Sequence, residues 1–356
     1  MAMPLVEIVS TGFALNQWCY LHGAPQIKGE IRCQPEDFRV VEELGFSPDC
    51  GNQHLWLDLS KRLLNTTEVA SKLARQAGIP VRDVGYSGLK DRNAVTRQWF
   101  SLPVGINDDQ TAADLTILCQ QQDQLDLHQI VKTRMKLKRG VHRANCFQII
   151  IRKLHGPLDI LEEKLRLISE KGVPNYFGDQ RFGRNGNNLK TAVGLFEHPR
   201  RKIDRFGRSM AISSARSWLF NMVLSARLQG ADLEQVCIGD VMQLSGTNAW
   251  FVHDGSDPAV VDRVKQHDLH ITGPLWGGGD LPSTGEIAEF EQAVVGAQPG
   301  FADGLVANGL RQQRRALRVV PEGMHWNLID DQSIRIEFRL PRGSFATSVL
   351  RELVQT

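Results

Sequence analysis

The chain has 356 residues, 42% of them hydrophobic and 23% charged. This composition builds a sizeable core and excludes a disordered, collagenous or low-complexity protein. The net charge of +2 hides a polarised distribution, because residues 127–216 carry 20 Lys and Arg against 7 Asp and Glu, leaving the remainder acidic. Crowded like charges raise the free energy of a compact state, so a polyanionic partner is expected, nucleic acid first. No window approaches the roughly 18 to 20 uninterrupted apolar residues of a membrane span. The start, MAMPLVEIVSTGFALNQWC, lacks the basic segment and apolar run of a secretory signal. The scattered cysteines Cys19, Cys33, Cys50, Cys119, Cys146 and Cys237 form no C-x-x-C pair, and are expected to be reduced packing residues of a cytosolic protein.

In chain order, strands are predicted over 36–43 and 53–60, the second with Leu55, Leu57 and Leu59 alternating with Trp56 and Asp58. A helix follows, with Asn65 as N-cap, Glu68 completing a capping box, and Gly78 then Pro80 ending it. Val81–Pro103 reads as a glycine-bounded loop leading into a strand, with Asp91 in the loop. The polar, acidic stretch 106–126 is expected on the surface. Lys132, Arg134, Lys136 and Lys138 fall on one face at strand period, and Asn145, Phe147, Ile149 and Ile151 share a face of the next strand. Leu158, Leu161, Leu165 and Ile168 mark an amphipathic helix ending near Gly172. A Gly/Asn-rich loop spans 174–188, a helix about 213–228, and a glycine-rich run 271–285. A strand over 333–340 and a short helix over 346–354 close the chain.

The Gly277–Gly279 run lacks the spacing of a phosphate loop and reads as a structural loop. No dinucleotide fingerprint, metal-ligand spacing or nucleophile elbow is present, leaving carboxylates, arginines and aromatics to carry chemistry. Asp91 stands between Lys90 and Arg92, with Arg97 further on. By residue chemistry alone it is a surface ion pair, and Phe38, Phe147 and Phe345 are core residues.

The segment G-L-K-D-R-N-A-V-T-R-Q-W, Gly88 to Trp99, closely resembles the signature of the TruD family of tRNA pseudouridine synthases. Further segments agree in the family's order: P-E-D-F-R-V-V-E from Pro35, V-P-N-Y-F-G-D-Q-R-F-G from Val173, and L-P-R-G-S-F-A-T-S-V-L-R-E from Leu340. The basic strand and an N-x-F element at Asn145 and Phe147 also fall where the family has them.

The resemblance implies an α/β (α+β) fold, a catalytic domain with a mainly antiparallel sheet interrupted by an inserted α/β domain. Its placement is 1–166 plus 316–356 for the catalytic domain and 167–315 for the insertion. It implies isomerisation of uridine to pseudouridine in tRNA, at position 13 of the D-arm, with Asp91 as the catalytic aspartate. The carboxylate attacks C1′, adds to C6, or assists through a glycal. Phe38, Asn145 and Phe345 are implied to line the pocket of the flipped base. The reaction adds no group and changes no oxidation state, so no cofactor and no metal are expected. A cytoplasmic monomer with tRNA as partner and no membrane association is implied. The alternative is a catalytically inactive RNA-binding protein or tRNA chaperone of the same fold.

Overall fold

The computed structural model describes residues 13–15, 17–103 and 108–356; most of the opening segment weighed as a secretory signal lies outside them. Two compact units divide the chain. One comprises Gln26–Leu158, Pro321–Gly343 and Val354–Thr356, and the other the described residues up to Pro25, Asp159–Val320 and Ser344–Leu353. Among the described residues no helix is long and apolar enough to cross a membrane.

The first unit opens with β1 (Ile27–Ile31), a 3-10 turn at Pro35–Asp37, β2 (Phe38–Glu43) and β3 (His54–Arg62). Helix α1 (Thr66–Gln76) follows, with the Glu68 carboxylate accepting from the Asn65 amide at 2.5 Å as the predicted capping box requires. Then come β4 (Gly85–Tyr86), β5 (Val95–Pro103), α2 (Asp108–Gln120), β6 (Leu125–Thr133) and β7 (Ala144–His155).

The second unit contains α3 (Leu158–Lys171, its first residue assigned to the other unit), β8 (Val173–Pro174), α4 (Asn187–Glu197) and α5 (Arg205–Gly230). Next are β9 (Val241–Leu244), β10 (Trp250–Val252), α6 (Val260–Lys265), β11 (Leu269–Leu275), α7 (Gly285–Gly296), α8 (Pro299–Ala307), β12 (Gln313–Ala316) and β13 (Arg318–Val319). Its core surrounds α5, whose Leu219, Phe220, Val223 and Leu224 are fully buried. A four-stranded sheet of order β10-β9-β11-β12 packs there, with β8 paired to β13.

The chain returns to the first unit with β14 (Glu322–Asp330) and β15 (Ser333–Pro341), gives α9 (Ala346–Leu353) to the second, and ends on β16 (Val354–Gln355). The main sheet has the order β14-β15-β7-β2-β5-β3-β6, with β1 joining β7 and β16, and β4 joining β5. It is mainly antiparallel; β2–β5 and β1–β16 are parallel. Both faces of β3 are covered. Leu55, Leu57 and Leu59 pack with Val69, Leu73 and Phe100, while Trp56 packs with Leu44, Trp99 and Leu137. Along β7, Asn145, Phe147, Ile149 and Ile151 share the buried face as predicted, and Phe147 stacks on Phe338 of β15 at 5.4 Å.

Several expectations need correction. The stretch 106–126 holds a helix, α2, that buries Leu115 and Cys119 against α1 and the sheet. The basic strand ends at Thr133, so Arg134, Lys136 and Lys138 share no strand face with Lys132. The chain leaves the sheet there because the Arg134 amide donates to Asp49 and the Met135 carbonyl accepts from the Trp56 indole at 2.8 Å. Arg134 then turns to the Cys50 carbonyl and Lys136 to the Arg82 carbonyl. The first predicted strand loses Glu36 and Asp37 to the 3-10 turn, and the helix expected at 213–228 runs over Arg205–Gly230. Part of the glycine-rich run, Ile271–Leu275, is strand; a side chain at Gly277 would meet the Arg311 backbone, which supports the structural-loop reading of the rest. The cysteines are free, but only Cys119 is buried; Cys33, Cys50 and Cys146 are exposed.

Candidate active site

Asp91 lies in the loop joining β4 to β5, and neighbouring elements hold that loop by its backbone. The Lys61 ammonium, buried near the end of β3, donates to the Leu64 and Asp91 carbonyls, both at 2.7 Å. Thr66 Oγ1, in the first turn of α1, accepts from the Lys90 amide at 2.9 Å. The Gln98 side chain of β5 donates to the Gly88 carbonyl at 3.1 Å. Gly85 permits the approach at the loop's start, since a Cβ there would collide with the Leu137 carbonyl and Ser101 Oγ. The Asp91 side chain projects from this frame with 35% of its surface exposed.

Arg32, just after β1, donates from Nη2 to Asp91 Oδ2 at 2.7 Å. Its guanidinium also lies 4.2 Å from the centre of the Phe38 ring. One side chain therefore orients the carboxylate and covers the aromatic. Arg32 has φ of 60°, in the left-handed region, where a side chain costs roughly 1–2 kcal/mol. The cations flanking Asp91 in sequence serve other groups. Lys90 Nζ donates to the buried Glu42 at 2.8 Å, Arg92 to the Leu63 carbonyl at 3.3 Å, and Arg97 Nε to both Asp58 oxygens at 3.0 Å. Glu42 and Asp58 are buried carboxylates, and burying such a polar group without a hydrogen-bond partner is costly.

Phe38 is set by the turn that precedes it. Asp37 accepts from the Gln34 amide at 3.2 Å and from Arg152 Nε and Nη2 at 3.0 and 2.8 Å. Glu36 accepts from Arg62 at 2.6 Å. This clamp delivers Phe38 into the sheet, 2% exposed, edge-on to Phe147 at 6.2 Å. Asn145 opens the buried face of β7, in register with Glu42 of β2 and Leu340 of β15. Its Nδ2 faces His142 Nε2 at 3.4 Å, and its Oδ1 is buried without a hydrogen-bond partner. Such an acceptor costs about 1–3 kcal/mol, which an N–H donor would recover. Burial, then the nearby Lys90 charge, lowers the His142 imidazolium from its ordinary range.

The first unit thus links Phe38 to Asp91 through Arg32, and Asn145 to the Asp91 loop through the Glu42–Lys90 pair. Phe345 belongs to the second unit. It precedes α9 and packs 5.9 Å from the Phe177 ring. Gly178 allows α9 to approach, because a Cβ there would lie 2.5 Å from Thr347 Oγ1.

The sequence expectations omitted Arg32 and Lys61. Nothing local marks Arg32, whose contact with Asp91 spans 59 positions. Lys61 did leave a signal: at strand period it continues the buried face of Leu55, Leu57 and Leu59. Burial, opposed by the Asp91 charge, pushes its ammonium from the ordinary 10.5 down to about 8. Between those values the unfolded chain binds more protons, so stability should rise with pH across that window. Lys61→Met should abolish this rise, up to about 3 kcal/mol. Urea midpoints of both proteins at pH 7.5 and 10.5 measure it, and an equal rise in the two would disprove the assignment.

In comparisons with known proteins, the family model of tRNA pseudouridine synthase D (TruD) matches residues 14–197 and 188–353. The chain is 40% identical over 342 residues to the tRNA pseudouridine synthase D of Hydrogenovibrio crunogenus, covering 96% of this chain and 97% of that one. It is 41% identical over 334 residues to that of Methylococcus capsulatus, covering 94% and 93%. A crystal structure from Methanosarcina mazei assigned to tRNA pseudouridine synthase D shares the fold, with a TM-score of 0.72 at 19% identity over 99% of both chains.

Proposed function

The chain belongs to the tRNA pseudouridine synthase D family and is a tRNA pseudouridine synthase, an isomerase; from that premise we propose that it acts on uridine 13 of the tRNA D-arm with Asp91 as its catalytic carboxylate. The observation that carries this reading is the mounting of Asp91: a loop fixed by Lys61, with the carboxylate on Arg32 and Arg32 on Phe38. A carboxylate held by a charge-assisted hydrogen bond is aimed while remaining open to substrate.

The target uridine leaves its stack. Its C1′–N1 bond breaks, the base turns, and C5 bonds to C1′; the C5 proton departs and N1 gains one, so the product is an isomer. Asp91 supports this by attack at C1′, by addition at C6, or through a glycal. Asn145 offers its buried Oδ1 to the uracil imide N–H. Phe38 gives the base an apolar face once the Arg32 guanidinium moves off its ring, and the family resemblance implies a pocket role for Phe345. Residues 1–166 with 316–356 serve as the catalytic domain and 167–315 as the insertion. A cytoplasmic monomer acting on tRNA without added cofactor or metal completes the proposal.

Incubating the protein with unmodified tRNA, without cofactor, and mapping pseudouridine tests it. Pseudouridine at position 13 is expected. Tight tRNA binding with no product would instead establish the inactive RNA-binding alternative. Phe38→Leu keeps an apolar side chain but loses the aromatic face, so single-turnover rates should fall about tenfold, within the 1–3 kcal/mol of base stacking. A wild-type rate in the folded variant would remove Phe38 from the pocket.

A further inference from the structure

The second unit contains a pair of arginines that the catalytic reading leaves unused. Arg181, in the turn after Gly178, and Arg315, in β12, both lie over Phe177, their guanidinium carbons 5.6 and 4.2 Å from its ring centre. Arg181 is also 6.0 Å from the ring centre of Phe345. Their hydrogen bonds go to neutral groups. Arg181 Nη1 donates to Ser213 Oγ at 3.2 Å. Arg315 Nη2 donates to Asn175 Oδ1 at 2.6 Å and to its carbonyl at 3.2 Å, and Nε to that carbonyl at 3.4 Å.

Three other buried arginines of this unit are paired with carboxylates, while Arg216 is bonded to neutral groups only. Arg227 pairs with Asp240, Arg314 with Glu291 and Arg318 with Glu234. Arg216 finds the Leu275 and Arg311 carbonyls. Among the described residues, Arg181 and Arg315 enter no ion pair although they share one aromatic ring. The Arg181 charge acts unfavourably on Arg315, and an oxyanion within reach of both guanidiniums would offset that repulsion.

We propose that Arg181 and Arg315, mounted on Phe177, bind a backbone phosphodiester of the RNA substrate. This rests on the tRNA-modifying function proposed above. The donor set suits phosphate: a guanidinium offers planar pairs of N–H groups and no acceptor, which matches phosphate oxygens bidentately. Stacking on Phe177 orders both side chains before the ligand arrives, which lowers the entropy cost of binding. Burial pushes both guanidiniums down, Arg315 to about 9 with the Arg181 charge adding to it, a cost that a bound anion would offset.

The test compares full-length wild type, Arg181→Gln and Arg181→Lys for binding unmodified tRNA across 50 to 200 mM KCl. Each phosphate neutralised contributes about 0.7 to 0.9 to the slope of log K against log salt. Arg181→Gln should flatten the slope by about that amount and weaken binding about tenfold at 0.1 M salt, the scale of one charge-assisted hydrogen bond. Arg181→Lys should keep the wild-type slope, because its charge remains. Arg315 also anchors Asn175, so Arg181 carries the test, with thermal unfolding confirming that each variant is folded. A wild-type slope in folded Arg181→Gln overturns the phosphate site. Pseudouridine formation by wild type in the same tRNA separates the two readings. If product forms and the slope is unchanged, only the phosphate site fails; if wild type forms none, the functional reading fails.

Discussion

Asp91→Asn should lower pseudouridine formation by at least about a thousandfold, the scale on which removing a covalent or charge-bearing catalytic group acts. The amide keeps the shape of the carboxylate and loses the charge that every candidate route requires. Affinity for tRNA should stay within a few-fold, since binding draws on phosphate contacts spread over a much larger surface. Stability should change little, because the Arg32–Asp91 pair is partly exposed and such pairs contribute about 1 kcal/mol or less. Nucleoside analysis of single-turnover reactions, with binding measured on the same preparations, checks both halves. Wild-type turnover in the variant would show that another group performs the chemistry.

Arg32→Met should cost about a hundredfold in single-turnover rate, equivalent to about 2.7 kcal/mol of barrier. Methionine still covers the Phe38 ring, but the 2.7 Å hydrogen bond that aims the carboxylate is lost. Small misplacement of a reacting group is enough for a loss of this size. Arg32→Lys should fall between, since an ammonium restores charge without the planar fork that both pairs and stacks. Dissociation constants for tRNA should move less than the rates, which marks positioning rather than substrate capture. Equal rates in wild type and Arg32→Met would reduce the contact to a resting-state ion pair.

The legible parts of the fold were those whose signals are local. Helix α1 carries its cap, its apolar stripe and its terminating glycine within one short segment. The buried face of β7 repeats at period 2 without interruption. Helix α2 escaped notice because Ala112, Leu115 and Cys119 are spaced among polar residues, too few to form a broad stripe. The basic strand misled for the opposite reason. Its alternation is regular, but the Trp56 indole and Asp49 draw the backbone out of the sheet after Thr133.

At the candidate site, the resemblance to a family signature points to Asp91, Phe38, Asn145 and Phe345. Residue chemistry alone had made Asp91 a surface ion pair and the phenylalanines core. The structure contains both features, a carboxylate on an arginine and a buried Phe38. What surrounds them was illegible. Lys90, Arg92 and Arg97 stand near Asp91 in sequence, yet each serves a different acceptor.

By itself, the sequence determined the composition class, most helices and strands, the family and the loop that carries Asp91. These follow from periodicity, caps and contiguous motifs, which act over a few residues. Only the tertiary structure decided that Arg32 meets Asp91 and Phe38, that Lys61 holds the loop backbone, and that Arg181 and Arg315 share one ring. Such contacts join positions tens to more than a hundred residues apart. Their physical cause is the pairing of strands distant in sequence, together with the demand of each buried charge or polar group for a partner. No local pattern encodes which partner the fold will supply.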